Sequence, residues 1–213
     1  MGLERGKFSY CKKGFLGVIN HQYKCIFIHI QRTAGSYIEN LVDGKDWWHE
    51  TVRQEKHLLA SQARELYSDY WDDYFKFSII RNPWARIVSC LKFPQHFGVK
   101  NINGRIGLSD YKKKYSFPNT VEYDHRFHKL SDIPNGQEGY GYSNILNEEL
   151  DFIATYENLQ NDAEFIFDRI GLNKKFKFIQ GASQDYRKYF TKQSQNDIEA
   201  MYYKDNIKYG YEF

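Results

Sequence analysis

Lys24-Cys25-Ile26-Phe27-Ile28-His29-Ile30 is a short apolar run rich in β-formers, and the chain leaves it through Gln31-Arg32-Thr33-Ala34-Gly35-Ser36 into Ile38, Leu41 and Val42 at helical spacing. A strand apolar along its whole length and followed at once by a helix is the building unit of parallel sheets, which are covered on both faces. The pattern returns. Phe75-Lys76-Phe77-Ser78-Ile79-Ile80 ends at Arg81-Asn82-Pro83, and Pro83 suits the first turn of a helix carrying Ile87, Val88 and Leu91. A third strand, Leu150 to Thr155, precedes a helix with Leu159, Ala163, Ile166, Phe167 and Ile170 on one face and Gly171 as its stop. Strands alternating with helices predict an α/β fold, a parallel sheet with helices on both faces.

Two further helices are expected. One covers His57 to Tyr67, with Leu58, Leu59, Ala63 and Leu66 on one face, and runs into the aromatic stretch Tyr70 to Tyr74. The other starts near Ser194, whose spacing to Asp197 matches a capping box, and carries Ile198, Met201 and Tyr202. Between Phe93 and about Asn147 periodicity is lost, and Gly98, Gly104, Pro118, Pro134, Gly136, Gly139 and Gly141 accumulate; the stretch reads as a loop-rich insertion, about 93–147, in a single domain whose core is about 24–92 and 148–213. The 213 residues suffice for one core without staples. Cys11, Cys25 and Cys90 are odd in number and far apart, so they encode neither a disulfide framework nor a zinc knuckle. No apolar run nears the roughly 20 residues that span a bilayer, and the basic, polar start Met1 to Lys13 is followed by no apolar signal region. A soluble, cytoplasmic chain is expected. A net charge of +3 is too small for a general nucleic-acid coat but permits a local anion site.

In a parallel sheet, ligands gather at the carboxyl ends of the strands, where loop amides and helix N-termini face anions. The first junction places a cation (Arg32), two hydroxyls (Thr33, Ser36), Ala34 and a glycine (Gly35) at a helix start, the donors, charge and close approach that a phosphate or sulfate needs. It lacks the G-x-x-x-x-G-K-S/T of a Walker A loop, which opposes a nucleotide-kinase reading; an ordinary β-α turn with an exposed Arg is the plain alternative. At the second junction Arg81 closes the strand and Ser89 lies two helical turns on. The two flank one anion only if the chain folds back through Asn82-Pro83, and Arg86 reads as a surface charge.

Four segments together resemble the family-2 sulfotransferases, the group of the heparan sulfate and chondroitin O-sulfotransferases. Phe27 to Ser36 resembles the family's 5′-phosphosulfate loop, F-I-H-I-x-K-T-A-G-T/S, and Tyr74 to Ser89 its 3′-phosphate segment, F-K-F-x-x-V-R-N-P-W-x-R-x-V-S. Asp151-Phe152-Ile153 through Tyr156-Glu157-Asn158-Leu159 resembles its strand and E-N-L helix start. Tyr186 to Thr191 and Asp205 to Phe213 resemble its carboxyl-terminal Y-R-x-Y-Y-T and D-x-x-x-F-G-Y-E-F. The segments run in family order from Lys24 to Phe213, with the irregular middle outside the likeness.

The resemblance implies a fold like that of P-loop kinases, the donor 3′-phosphoadenosine 5′-phosphosulfate (PAPS), no metal, and transfer of the sulfuryl group to an acceptor hydroxyl or amine, with carbohydrates as one acceptor class. It assigns Arg32, Thr33, Ala34, Gly35 and Ser36 to the 5′ end of the donor, and Arg81, Ser89 and, more weakly, Arg187 to the 3′-phosphate. Arg32 stands where the family usually has a lysine on the oxygen bridging sulfur and phosphorus, and its planar fork cannot occupy the point of an ammonium. His57 takes the place of the family's general base, with His49 as rival. His29, within the strand, reads as a packed or locally bonded residue, and His125 and His128 as a solvated loop pair. The family's anchored Golgi members contrast with this chain, which reads as a bacterial or viral protein. A non-catalytic PAPS- or glycan-binding module is the other reading that Arg32 leaves open.

Overall fold

The computed structural model describes residues 19–43, 58–92, 141–178 and 186–213. His49, His57, His125, His128 and residues 93–140 of the expected insertion lie outside them, as do the first 18 residues. The described residues form an α/β fold around a four-stranded sheet in the order β1-β2-β3-β4: Ile19–Asn20, Cys25–Ile28, Phe75–Ile80 and Phe152–Thr155. β2, β3 and β4 are parallel, with Phe27 opposite Phe77 and Phe77 opposite Phe152, whereas β1 pairs antiparallel on the edge, Ile19 opposite Ile26. Its two residues are too short to show a period in the sequence.

Side chains alternate across β2, so one strand feeds two cores. Cys25 and Phe27 join Phe77, Ile79 and Ala154 under α1 (Gly35–Asp43) and the helix after β4. Ile26 and Ile28 point the other way, to the layer of α2 (Ala60–Leu66), α3 (Ser68–Trp71) and α4 (Pro83–Lys92). A short helix, α5 (Tyr142–Ile145), lies at the end of the stretch read as irregular, and Tyr142 and Ile145 are buried in this second core. After β4 the chain makes a 3-10 turn, Tyr156–Asn158, and enters α6 (Leu159–Arg169), which stops at Gly171 with φ 70° as its glycine predicts.

Two expected details differ. Leu66 is 50% exposed, and the buried line on this side runs through Ala60, Ala63, Tyr67 and Trp71 instead. Those four residues repeat at three, four and four positions and make one stripe, from which Leu66 is turned by about 100° relative to Tyr67; the backbone breaks at Tyr67 (φ −112°, ψ 31°) between α2 and α3. The penultimate helix, α7 (Lys192–Met201), starts earlier than Ser194 predicts. Thr191 is the N-cap: its hydroxyl accepts from the Ser194 N–H at 3.2 Å, and the Ser194 hydroxyl accepts from the Thr191 N–H at 2.9 Å. Ser194 thus closes the capping box at the third helical position rather than opening it as the cap. The final helix, α8 (Tyr203–Tyr209), ends at Gly210 with φ 68°. Among the described residues no helix is long and apolar enough to cross a membrane.

Candidate functional site

Parallel strands deliver all three of their carboxyl ends to one edge of the sheet. β2 exits into Gln31–Ala34, β3 into Arg81-Asn82 and β4 into Tyr156–Asn158, so residues far apart in sequence meet there.

In the first exit Arg32 (φ 63°) and Ala34 (φ 74°) are left-handed and Thr33 between them is not. Such alternation costs about 1–3 kcal/mol per non-glycine residue and turns successive N–H groups toward one concavity, an anion-binding backbone shape. Gly35 and Ser36 open α1, and their N–H groups stand ahead of its first internal bonds, in which the Tyr37 and Ile38 N–H groups donate to the Ala34 carbonyl at 3.0 and 3.3 Å. The Thr33 hydroxyl is spent internally, donating to the Ile30 carbonyl at 2.7 Å, so this residue braces the turn.

The second exit folds back through Asn82-Pro83 and brings Arg81 and Ser89 to the same loop. Arg32 Nε donates to Ser89 Oγ at 3.1 Å, and Arg81 Nη1 donates to the Arg32 carbonyl at 3.1 Å. Arg81 is 4% exposed and its guanidinium lies 3.9 Å from the centroid of the Tyr156 ring, so the third exit fixes it from the side. Its backbone is clamped as well: the Arg81 N–H donates to the Tyr142 phenol oxygen at 3.3 Å, and the Tyr142 hydroxyl donates to the Arg81 carbonyl. Burial pushes the Tyr142 phenol well above its ordinary range despite the opposing charge of Arg86, which keeps it a neutral donor.

Arg86 is not the surface charge its sequence position suggests. It is 1% exposed; Nε donates to the Gln31 carbonyl at 2.8 Å and Nη1 to the Tyr202 hydroxyl at 2.9 Å, so it ties the loop after β2 to the second core. Residues 83–88 of α4 are all buried, and a helix covered all round has no solvent face for a charge. Glu157 is a second residue the sequence did not single out by itself. It accepts from the Asn82 N–H at 2.8 Å and from the Tyr211 hydroxyl at 3.2 Å, joining two exits to the carboxyl terminus. Asn82 caps α4, accepting from the Ala85 N–H at 3.1 Å, and reaches the Glu212 carbonyl at 3.0 Å. Arg187 is exposed over the rings of Tyr186 and Phe213, and Phe213 rests edge-on against Trp84 of α4.

Arg32, Thr33, Ala34, Gly35, Ser36, Arg81 and Ser89 therefore share one neighbourhood at the sheet edge, with Arg187 at the flank of α4. Cys25 is outside it: burial pushes its thiol up to about 12, which makes it a packing residue. A model described as the Sulfotransferase family matches residues 17–212. This chain belongs to the sulfotransferase family. The match takes in all four strands and every exit described above, and the α/β fold with its parallel strands is consistent with it. No curated protein matches the chain. The family's chemistry is sulfuryl transfer, and the sheet edge of this sulfotransferase carries two arginines, Arg32 and Arg81.

Proposed function

We propose that the protein moves the sulfuryl group of PAPS to a hydroxyl or amine of an acceptor, with a carbohydrate as one acceptor class. The observation that carries this is the linkage of the two junctions, Arg32 Nε to Ser89 Oγ and Arg81 Nη1 to the Arg32 carbonyl, each 3.1 Å. Two adjoining anion sites on separate strands suit a nucleotide phosphorylated at its 5′ and 3′ positions better than a linear triphosphate. The N–H groups of Thr33 to Ser36 with Arg32 hold the phosphosulfate. Arg81 and Ser89 hold the 3′-phosphate, with Arg187 as an outer contact. Residues 93–147 supply the acceptor surface.

In the transfer the acceptor oxygen attacks sulfur as the bond from sulfur to the 5′-phosphate oxygen breaks. The acceptor proton passes to His57, and negative charge builds on the leaving phosphate beside Arg32. Arg32 carries permanent charge, and the leaving phosphate needs no proton, so arginine serves in place of the family's lysine.

Calorimetry with adenosine 3′,5′-bisphosphate against ATP tests the donor: tight binding of the first and weak binding of the second supports it, and the reverse order points to a kinase. A second reading rests on Arg32 itself. A guanidinium engaged with Ser89 in place of a lysine suits a module that binds PAPS without using it.

A further inference from the structure

His29 follows β2 directly, two residues before the chain enters the loop, yet it is 3% exposed and sits among groups of β2 and of α1. Nδ1 lies 2.9 Å from Oε1 of Glu39, which is 1% exposed and one helical turn beyond Gly35. The Phe27 ring stacks on the imidazole at 5.2 Å with an interplanar angle of 20°. Gly35 closes another side: a β-carbon built there would stand against Nε2, 2.5 Å from Cδ2 and 2.8 Å from Cε1, closer than real β-carbons come. Against a carboxylate acceptor Nδ1 carries the hydrogen, so the carboxylate fixes the ring's tilt and turns the Nε2 edge toward the glycine.

We propose that His29, locked by Glu39, is a positioning residue: its imidazole is the seat on which the anion loop rests, and it sets the height of Gly35 and the aim of the Gly35 and Ser36 N–H groups. The proposal rests on the reading of that loop as the holder of the donor's 5′ end. Glycine is required at position 35 because the loop passes the ring at backbone contact, and the ring must stay in one orientation for that contact to hold the same shape.

The test is a size-compensation cycle read by calorimetry with three probes, adenosine 3′,5′-bisphosphate, adenosine 5′-phosphate and adenosine 3′-phosphate, together with thermal melts. Gly35→Ala is expected to weaken the bisphosphate and the 5′-phosphate by about tenfold or more, and adding His29→Ala to recover at least about fivefold of that, since contacting residues couple. The 3′-phosphate should change less than about threefold throughout, because its partners lie on α4 and the β3 exit. Glu39→Gln keeps an acceptor for Nδ1 and should bind within about threefold of the unaltered chain, whereas Glu39→Ala should fall well below it.

Additive single substitutions, or equal losses for the 5′ and 3′ probes, overturn the seat. If Gly35→Ala alone does not fold, return of a cooperative melt on adding His29→Ala supports the seat and continued absence of one overturns it. An unaltered chain that binds none of the probes overturns the donor reading; the melts then decide the seat, with coupling between positions 29 and 35 supporting it and additivity overturning it.

Discussion

The Nε of Arg32 donates to the hydroxyl of Ser89 at 3.1 Å, joining the loop after β2 to the helix after β3 across 57 positions of sequence. A lysine has one terminal nitrogen and cannot hold Ser89 through the shaft of its side chain while its charge faces a ligand; an arginine has the geometry for both. Arg32→Ala should therefore impair donor binding and turnover together, whereas Arg32→Lys gives up the Ser89 contact but restores the family's ammonium at this place and should retain or raise turnover. Steady-state kinetics beside calorimetry checks this, and turnover lost in Arg32→Lys with donor binding intact counts against the assigned role.

Arg81 holds the 3′ side. Arg81→Ala should weaken adenosine 3′,5′-bisphosphate by about 1.5–3 kcal/mol, the range for hydrogen bonds to charged groups, and adenosine 5′-phosphate much less. Equal losses for both ligands, measured by calorimetry, would remove Arg81 from the 3′ site.

Arg86 is a stability residue by its contacts. Replacing it with Leu leaves the Gln31 carbonyl and the Tyr202 hydroxyl without their buried donor and should cost about 2–4 kcal/mol in urea unfolding. Arg86→Lys should recover only part of the loss, since one ammonium does not span two acceptors as the planar fork does.

The three parallel strands, their helices and the glycine stop at Gly171 were legible because each rests on local signals: period, β-branching and a left-handed cap. The tight turn from β2 into α1 was legible for the same reason, since the apolar run, the glycine and the helical spacing that follows it are contiguous. Long-range pairing was not. Arg86 looks like any helix arginine until Gln31 and Tyr202 are brought to it from 55 and 116 residues away. Tyr142 sits in a stretch with no period, and its clamp on Arg81 spans 61 residues. Leu66 and Ser194 differ for one reason each: helical spacing alone does not say which of two neighbouring apolar residues, Leu66 or Tyr67, faces the core, and a serine that fits a cap also fits the third helical position after the cap Thr191.

Acid stability should depend on Asp151, which accepts from the Lys76 N–H at 2.7 Å and lies 3.0 Å from Lys76 Nζ. Burial raises its carboxyl, but the hydrogen bonds and charge of Lys76 outweigh this and hold it below the ordinary 3.8. A depressed folded value means that the contribution is whole above about 3.8 and fades as the pH falls through the folded value. The difference in melting temperature between the unaltered chain and Asp151→Asn should shrink below that pH and stay level above it.

His57→Ala should lower turnover by ~10²–10⁴ and leave donor affinity nearly unchanged, because a general base acts chiefly in the transition state. Rates from a saturating-donor assay, with calorimetry on the same sample, check both halves. Unimpaired turnover would move the search for the base to His49 or to an acidic residue of the 93–147 stretch.

Transfer of labelled sulfate from PAPS to a panel of glycans, phenols and lipids tests the central claim most directly. The account predicts label in at least one acceptor class, with adenosine 3′,5′-bisphosphate released in equal amount and the signal lost in Arg32→Ala. Binding of PAPS with no transfer to any acceptor, by either the unaltered chain or Arg32→Lys, would contradict it and make the protein a binding module.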